Sequence, residues 1–352
     1  MGYSAENIEN TERFNLSLTK VEASLREKIR HYLKIAAKIE AYLSRKPSEW
    51  GRFQIEFNQE VDNIFRDIMH FEKENHANNS AEKAIKLKKL FINRLRKIFL
   101  KGAYNKWSLD KPYGYAGDFR IIDDIYQNVP ITTGFNRLFD NYFQMSAISV
   151  AVRNRKNDFK RMLVDFINER KNCPLRIMDL ASGPCRDIKE ILCSNNLENH
   201  SVVFDCYDHE PRALQYAQGL LAGFENINFI QENALRIAAV KDITSLIPQK
   251  YDFIYSTGLF DYLNHKISLR LIKNLKQLLN DNGILAISNV REKYSNPSMH
   301  YMEWVGDWNL VYRCDEEFRS VFLEAGFADN ELNVQYEQQG VMQYIIATQR
   351  GK

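Results

Sequence analysis

Asp179, Ala181, Ser182 and Gly183 fall within the run RIMDLASGPCRDIKEIL, where an apolar stretch stops at a carboxylate and gives way to small residues. Small side chains at a strand-to-helix turn let a ligand approach the backbone, and the following helix offers unpaired N–H groups. A dinucleotide crevice would carry G-x-G-x-x-G. Here the carboxylate of Asp179 would repel pyrophosphate, so the expected ligand carries positive charge close by. Other strand ends bear chemistry of the same kind. YDHEPRALQYA places Asp208 where a carboxylate takes both ribose hydroxyls, and QENAL places Asn233 where an amide reads an adenine edge. YSTGLFDYL adds Thr257, Gly258, Asp261 and Tyr262. Each alone is an ordinary polar residue at a strand end. Their recurrence at successive strand ends, in the expected order, is what points to a nucleoside crevice.

Such residues converge only if parallel strands present their ends together. From Arg176 onward, short apolar runs (RIMDLA, SVVFDCYD, INFIQ, YDFIYS, GILAISNV) alternate with helical segments, the pattern of a parallel sheet wrapped by helices in an α/β fold. The tail NVQYEQQGVMQYIIATQR reads as an antiparallel hairpin closing the sheet. Upstream the texture is helical. Val21, Leu25, Ile29, Tyr32, Ile35, Ile39 and Leu43 recur at three and four, Thr19 and Glu22 have capping-box spacing, and Pro47 ends that helix. A second helix carries Phe57, Val61, Ile64, Phe65 and Ile68; the polar break ENHANNS follows, then a third helix from near Ala81. Two further helical patterns span roughly 135–151 and 154–170.

The composition narrows the function classes. The chain has 352 residues with 45% hydrophobic content, enough for a large core, and no run reaches the length of a membrane helix. The N-terminus MGYSAENIENTERF lacks the apolar core of a secretory signal, so a cytoplasmic protein is expected. The five cysteines, Cys173, Cys185, Cys193, Cys206 and Cys314, have no two-residue spacing, which argues against a disulfide framework or a metal site. A net charge of +3 is too small to make nucleic acid the main partner.

Together DLASGPC, YDHEP, QENA, YDFIYSTGLFDYL and NGILAISNV, with the terminal hairpin, resemble the class I S-adenosylmethionine-dependent methyltransferases over about residues 171–352. That resemblance implies a Rossmann-like seven-stranded sheet whose last strand is antiparallel, with S-adenosylmethionine as cofactor. Asp179, Ala181, Ser182 and Gly183 would line its methionine and ribose side. Asp208 would hold the ribose with His209 as a neighbour, Asn233 and Ala234 would flank the adenine, and Ser256, Thr257 and Gly258 would face the sulfonium. Cys185 departs from the pattern, standing where Gly is frequent; a slightly tighter loop is the expected result.

Members of that family differ mainly in what covers the cofactor. KPYGYAGDFRIIDDIY, residues 111–126, is read as part of a lid. The expected division is a helical lid domain, 1–130, and a cofactor-binding domain, 131–352. Tyr113, Tyr115 and Phe119 could offer π faces to a sulfonium, Gly114 and Gly117 permit the bend, Asp118 could bind an amine or a substrate group, and Arg120 a carboxylate. A second reading stays open, in which the cluster packs a domain junction and Asp118 caps a helix beginning near Phe119. With YSTGLFDYL and MEWVGDWNLVYR, the segment resembles the bacterial extracellular-factor type synthases that make 3-hydroxy fatty acid methyl esters. On that resemblance Trp308, Tyr312 and Arg313 are expected near a small-molecule substrate, and Tyr115, Asp118, Asp261 and Tyr262 near the reacting atoms.

A carboxylate nucleophile loses charge as it meets a sulfonium, so expelling water helps more than a base does. The strand-four motif also lacks the Asn/Asp-Pro-Pro-aromatic run used on amines and bases. Two alternatives remain open. Some enzymes of this fold, azetidine-2-carboxylate synthases among them, cyclise S-adenosylmethionine itself and release methylthioadenosine; a non-catalytic cofactor-binding module is the other. The basic stretch AEKAIKLKKLFINRLRKIFLKG, with Lys83, Lys86, Lys88, Lys89, Arg94, Arg96, Lys97 and Lys101, docks an acidic partner such as an acyl carrier protein or an anionic membrane surface, or is simply solvated.

Overall fold

The computed structural model describes residues 5–77, 81–170, 173–194 and 201–350. Its contacts divide into two compact units that interleave along the chain. One comprises residues 1–116, 129–146 and 293–309, the other 117–128, 147–292 and 310–352. The sequence reading instead draws one boundary at 130.

In chain order the upstream helices are α1 (Ala5–Leu43), α2 (Gln54–Ala77), α3 (Ala81–Phe99), α4 (Ala103–Asp110), α5 (Phe119–Gln127), α6 (Gly134–Met145) and α7 (Ala147–Glu169). The helical unit holds α1 to α4 and α6. Its first helix begins well before Thr19, because residues 5–18 contain neither Gly nor Pro to stop it. Leu25, Ile29, Tyr32, Ala36, Ile39 and Leu43 form its buried stripe, with Ala36 rather than Ile35 on the inner face. The side chains of Thr19, Val21 and Glu22, and of Lys83 and Lys86, lie outside the described residues. Pro47 opens a 3₁₀ turn, Pro47–Phe53, that separates α1 from α2.

The second unit is built on strands β1 (Leu175–Leu180), β2 (Val202–Asp208), β3 (Ile227–Gln231), β4 (Tyr251–Ser256), β5 (Leu279–Val290), β6 (Leu332–Tyr336) and β7 (Met342–Thr348). Between them run α8 (Arg186–Cys193), α9 (Pro211–Leu220), α10 (Ala234–Ala239), α11 (Ile243–Leu246), α12 (His265–Gln277), α13 (Pro297–Gly306) and α14 (Asp315–Glu324). Of these, α13 belongs to the helical unit. There Tyr301 stacks edge-on to Phe65 at 5.2 Å and to Tyr142 at 4.8 Å, and Trp304 donates to Glu72 Oε1 at 2.7 Å. A Cβ at Gly306 would come within 2.9 Å of Ser108 Cβ, so only glycine permits this approach of α13 to α4.

The seven strands lie in the order β3-β2-β1-β4-β5-β7-β6, parallel except where β7 runs antiparallel to β5 and β6. This is the Rossmann-like seven-stranded arrangement, with an antiparallel last strand, that the resemblance implies. β1 and β4 are buried along almost their whole length, which explains why they read as unbroken apolar runs. Strand order reverses direction between β1 and β4, so a crevice opens outside their carboxyl ends. No helix among the described residues is long and apolar enough to cross a membrane.

Candidate functional site

The turn after β1 is wound tightly. Ala181, Gly183 and Cys185 all have left-handed backbones, with φ of 58°, 54° and 50°. Glycine takes that conformation freely; Ala181 and Cys185 take it at roughly 1–2 kcal/mol each. Cys185 therefore does more than tighten the loop: its thiol is fully buried against Cys206 of β2. Ser182 N donates to Tyr207 O at 3.0 Å, and Gly183 N donates to Asp208 Oδ2 at 2.9 Å. The amide that a phosphate would need is thus taken by a carboxylate, in keeping with the expectation of a cationic ligand. The other Asp208 oxygen accepts from Glu210 N at 2.9 Å and meets His209 Nδ1 at 3.3 Å. That hydrogen bond raises the pKa of His209.

Asp179, at the end of β1, and Asp187, in the first turn of α8, are both buried. Burial pushes the carboxyl of Asp179 well above its ordinary range, and repulsion from Asp187 adds to it. Burial also raises Asp187, against a hydrogen bond of 2.9 Å that it accepts from Tyr255 Oη. Two desolvated carboxyls that repel one another favour a positively charged ligand beside them.

At the end of β4, Ser256 is wholly buried and its Oγ donates to Leu180 O at 2.7 Å, tying β4 to β1. The Thr257 carbonyl accepts from Ser288 Oγ at 2.6 Å. Asp261 lies in the short turn Phe260–Tyr262 and is bonded on both oxygens. Oδ1 accepts from Asn289 Nδ2 at 2.8 Å and Val290 N at 2.7 Å, and Oδ2 from Arg155 Nη1 at 3.2 Å. Burial raises its pKa, opposed by the Arg155 charge. Arg313 spends its guanidinium on the protein: it donates to Phe260 O at 3.0 Å, Asn289 Oδ1 at 2.6 Å, Ser268 Oγ at 3.2 Å and Leu263 O. It braces this turn from within the core, and Tyr312 beside it is half-buried. Tyr262 is 43% exposed.

The glycine-aromatic segment divides between the units at Gly117. In the second unit Asp118 is the N-cap of α5, its Oδ1 accepting from Arg120 N and Ile121 N at 2.9 and 3.0 Å, so the capping alternative is realised. Phe119 is buried against Tyr216, and Arg120 is exposed, lying over the Tyr216 ring and beside Asp124. Asn233 caps α10 with Oδ1, and its Nδ2 has no acceptor among the described residues; Ala234 beside it is buried. In the helical unit Tyr113 and Tyr115 are half-buried, the former 6.2 Å from the Trp107 ring, and Trp308 is buried just beyond α13.

Two residues at the β4 tip escaped the sequence reading. Tyr126, the last residue of the 111–126 segment, places its hydroxyl near the Thr257 side chain, Asp179, Asp187 and Arg155. Burial pushes this phenol up to about 12, against the pull of Arg155. α5 holds it there through Asp123, which is fully buried and accepts from Arg186 Nε and Nη2, Tyr216 Oη and Gln127 Nε2. Arg155, on α7, is also buried. Its signal was its position: a cation among Ala151, Val152 and Phe159 on an apolar helix face.

Residues 171–340 match the family model described as a methyltransferase domain. No curated protein matches the sequence. Among solved structures, one described as a possible exported protein from Bordetella parapertussis is 18% identical, with a TM-score of 0.54, covering 66% of this chain and 80% of that one. The magnesium protoporphyrin IX methyltransferase of Synechocystis PCC 6803, solved with S-adenosylmethionine, is 14% identical at a TM-score of 0.39, covering 57% and 83%. The CMeT domain of the citrinin polyketide synthase is 14% identical at 0.46, covering 66% and 56%. With that match over residues 171–340, the enzyme is a transferase that uses S-adenosylmethionine.

Proposed function

We propose that this enzyme methylates a carboxylate oxygen of a small acid of the 3-hydroxy fatty acid kind. The reading rests on the protonation and bonding of the ionisable groups at the β4 tip. Asp261 has both oxygens bonded, and Tyr126 stays protonated at neutral pH. Neither is a free base, which suits an acceptor that needs no proton removed.

When bound, S-adenosylmethionine supplies a methyl group on a sulfonium. In this reading the charges of Asp179 and Asp187 offset the cationic end, Asp208 holds the ribose, and the spare Nδ2 of Asn233 donates to the adenine. The glycine at 258 gives the acceptor room beside Thr257. A carboxylate and a sulfonium neutralise one another on the way to the transition state, so the chain accelerates the reaction by aligning them and excluding water. Tyr115→Ala is expected to lower turnover more than cofactor affinity, and a wild-type rate would remove Tyr115 from this proposal.

The direct test is to incubate the purified chain with S-adenosylmethionine and a panel of carboxylic acids, identifying both products by mass spectrometry. S-adenosylhomocysteine together with a methyl ester is expected. Methylthioadenosine formed with no acceptor present would replace this reading with intramolecular cyclisation.

A further inference from the structure

Arg155 presents an unused carboxylate-binding edge. Five other arginines among the described residues of this unit, Arg176, Arg186, Arg212, Arg291 and Arg319, each grip a carboxylate through Nε and Nη2 together, with Asp205, Asp123, Glu210, Asp315 and Asp329 as partners. Arg155 meets Asp261 through Nη1 alone, at 3.2 Å, with Met342 Sδ at 3.9 Å. Its Nε is buried and has no hydrogen-bond partner among the described residues, although the residue is only 3% exposed. A buried guanidinium donor left unmatched is costly unless a ligand matches it. Nη2 lies 3.5 Å from where a Cβ would stand at Gly258, so the absence of a side chain there keeps that edge clear.

We propose that the Nε/Nη2 edge of Arg155 binds the carboxylate of the methyl acceptor, which makes Arg155 the residue that selects acids; this rests on the function proposed above. Its place favours the acceptor over the cofactor's own carboxylate. Arg155 contacts Met342 on β7 and Asp261 beyond β4, whereas the cofactor's expected carboxyl partners, Asp179 and Asp208, end β1 and β2 on the other side of β4. Each acceptor oxygen would accept one hydrogen bond and keep a lone pair free to react. The nearby Asp261 charge does not block this, because Arg155 Nη1, Asn289 and Val290 N already share it.

The test is calorimetry of 3-hydroxydecanoate, with 3-hydroxydecanamide as the uncharged control, on the full chain loaded with S-adenosylhomocysteine. Arg155→Lys keeps the charge but loses the planar fork, and should weaken acid binding about tenfold; Arg155→Gln should weaken it about a hundredfold. The amide should bind all three proteins alike, and S-adenosylmethionine affinity should hold. If Arg155→Gln does not fold, as judged by circular dichroism, Gly258→Ala replaces it: its backbone φ is not left-handed, and its methyl would stand before Nη2. Acid binding should weaken there relative to the amide as well. Unchanged acid affinity while the wild type methylates acids overturns the inference alone. Loss of cofactor affinity with acid binding intact overturns it in favour of the cofactor carboxylate. A wild type that neither binds nor methylates any acid overturns this and the function proposed above together.

Discussion

Asp123→Ala should unseat α5. Asp123 is fully buried and accepts from Arg186 Nε at 2.7 Å and Nη2 at 2.6 Å, from Tyr216 Oη at 2.6 Å and from Gln127 Nε2 at 2.8 Å. Deleting one partner of a buried ion pair costs about 3–5 kcal/mol, because the other charge is stranded. The Arg186 side chain keeps 16% exposure, so water relieves part of that cost and the low end applies, about 3 kcal/mol or roughly 150-fold in the opening equilibrium. Asp123→Asn, which keeps one acceptor oxygen, should lose about half as much free energy. α5 has nine residues, too few to persist as an isolated helix, so its amides report the tie directly. Native-state hydrogen exchange of residues 119–127, with turnover measured in parallel, is the assay. Turnover should fall because Tyr126 rides on this helix. Protection reduced less than about threefold in Asp123→Ala would refute the reasoning, since a stranded buried cation cannot cost so little.

Asp118→Asn should leave α5 intact, since Asn caps as well as Asp, whereas Asp118→Ala should cost about 1 kcal/mol in thermal unfolding. A turnover loss in the Asn variant alone would show that the charge, beyond the cap, takes part in the reaction. Asp208→Ala should weaken S-adenosylmethionine binding in calorimetry and free the Gly183 amide, with circular dichroism unchanged; undiminished affinity would undo the ribose assignment. The raised carboxyls of Asp179 and Asp187 set a pH dependence. Their folded pKa values lie above the unfolded ones, so between the two the folded chain holds the extra protons and the ligand-free protein loses stability as pH rises. A bound cation favours the ionised forms, so cofactor affinity should strengthen over that window with proton release, seen as buffer-dependent heats. Asp187→Asn should flatten the trend; an unchanged slope would contradict it.

The sheet was readable because β1, β2, β4 and the second half of β5 are largely buried and print as apolar runs with a polar residue at or next to the end. Asp179, Gly183 and Asp208 could be grouped from sequence because successive strand ends converge in a parallel sheet, and Gly183 does reach Asp208. The start of α1 was missed because helix-compatible residues continue upstream of a plausible cap at Thr19. Ser256, Asp261 and Arg313 are polar residues at the expected place, yet their partners, Leu180, Asn289 and Phe260, are distant in sequence and could not be inferred from local spacing. Tyr126 and Arg155 were hidden for the same reason. Each interrupts a helix pattern, and only tertiary proximity to Thr257 and Gly258 gives the interruption meaning.

The buried helix α13 has a consequence for biosynthesis. It comes after residues 147–292, so α2, α3 and α4 leave the ribosome long before the segment that completes their core around Tyr301 and Trp304. The nascent chain carries that unfilled apolar surface through most of translation, the interval in which a chaperone has something to hold. A stop codon between the end of α4 and residue 297 should yield a fragment whose α2–α4 core stays unfilled and prone to aggregate.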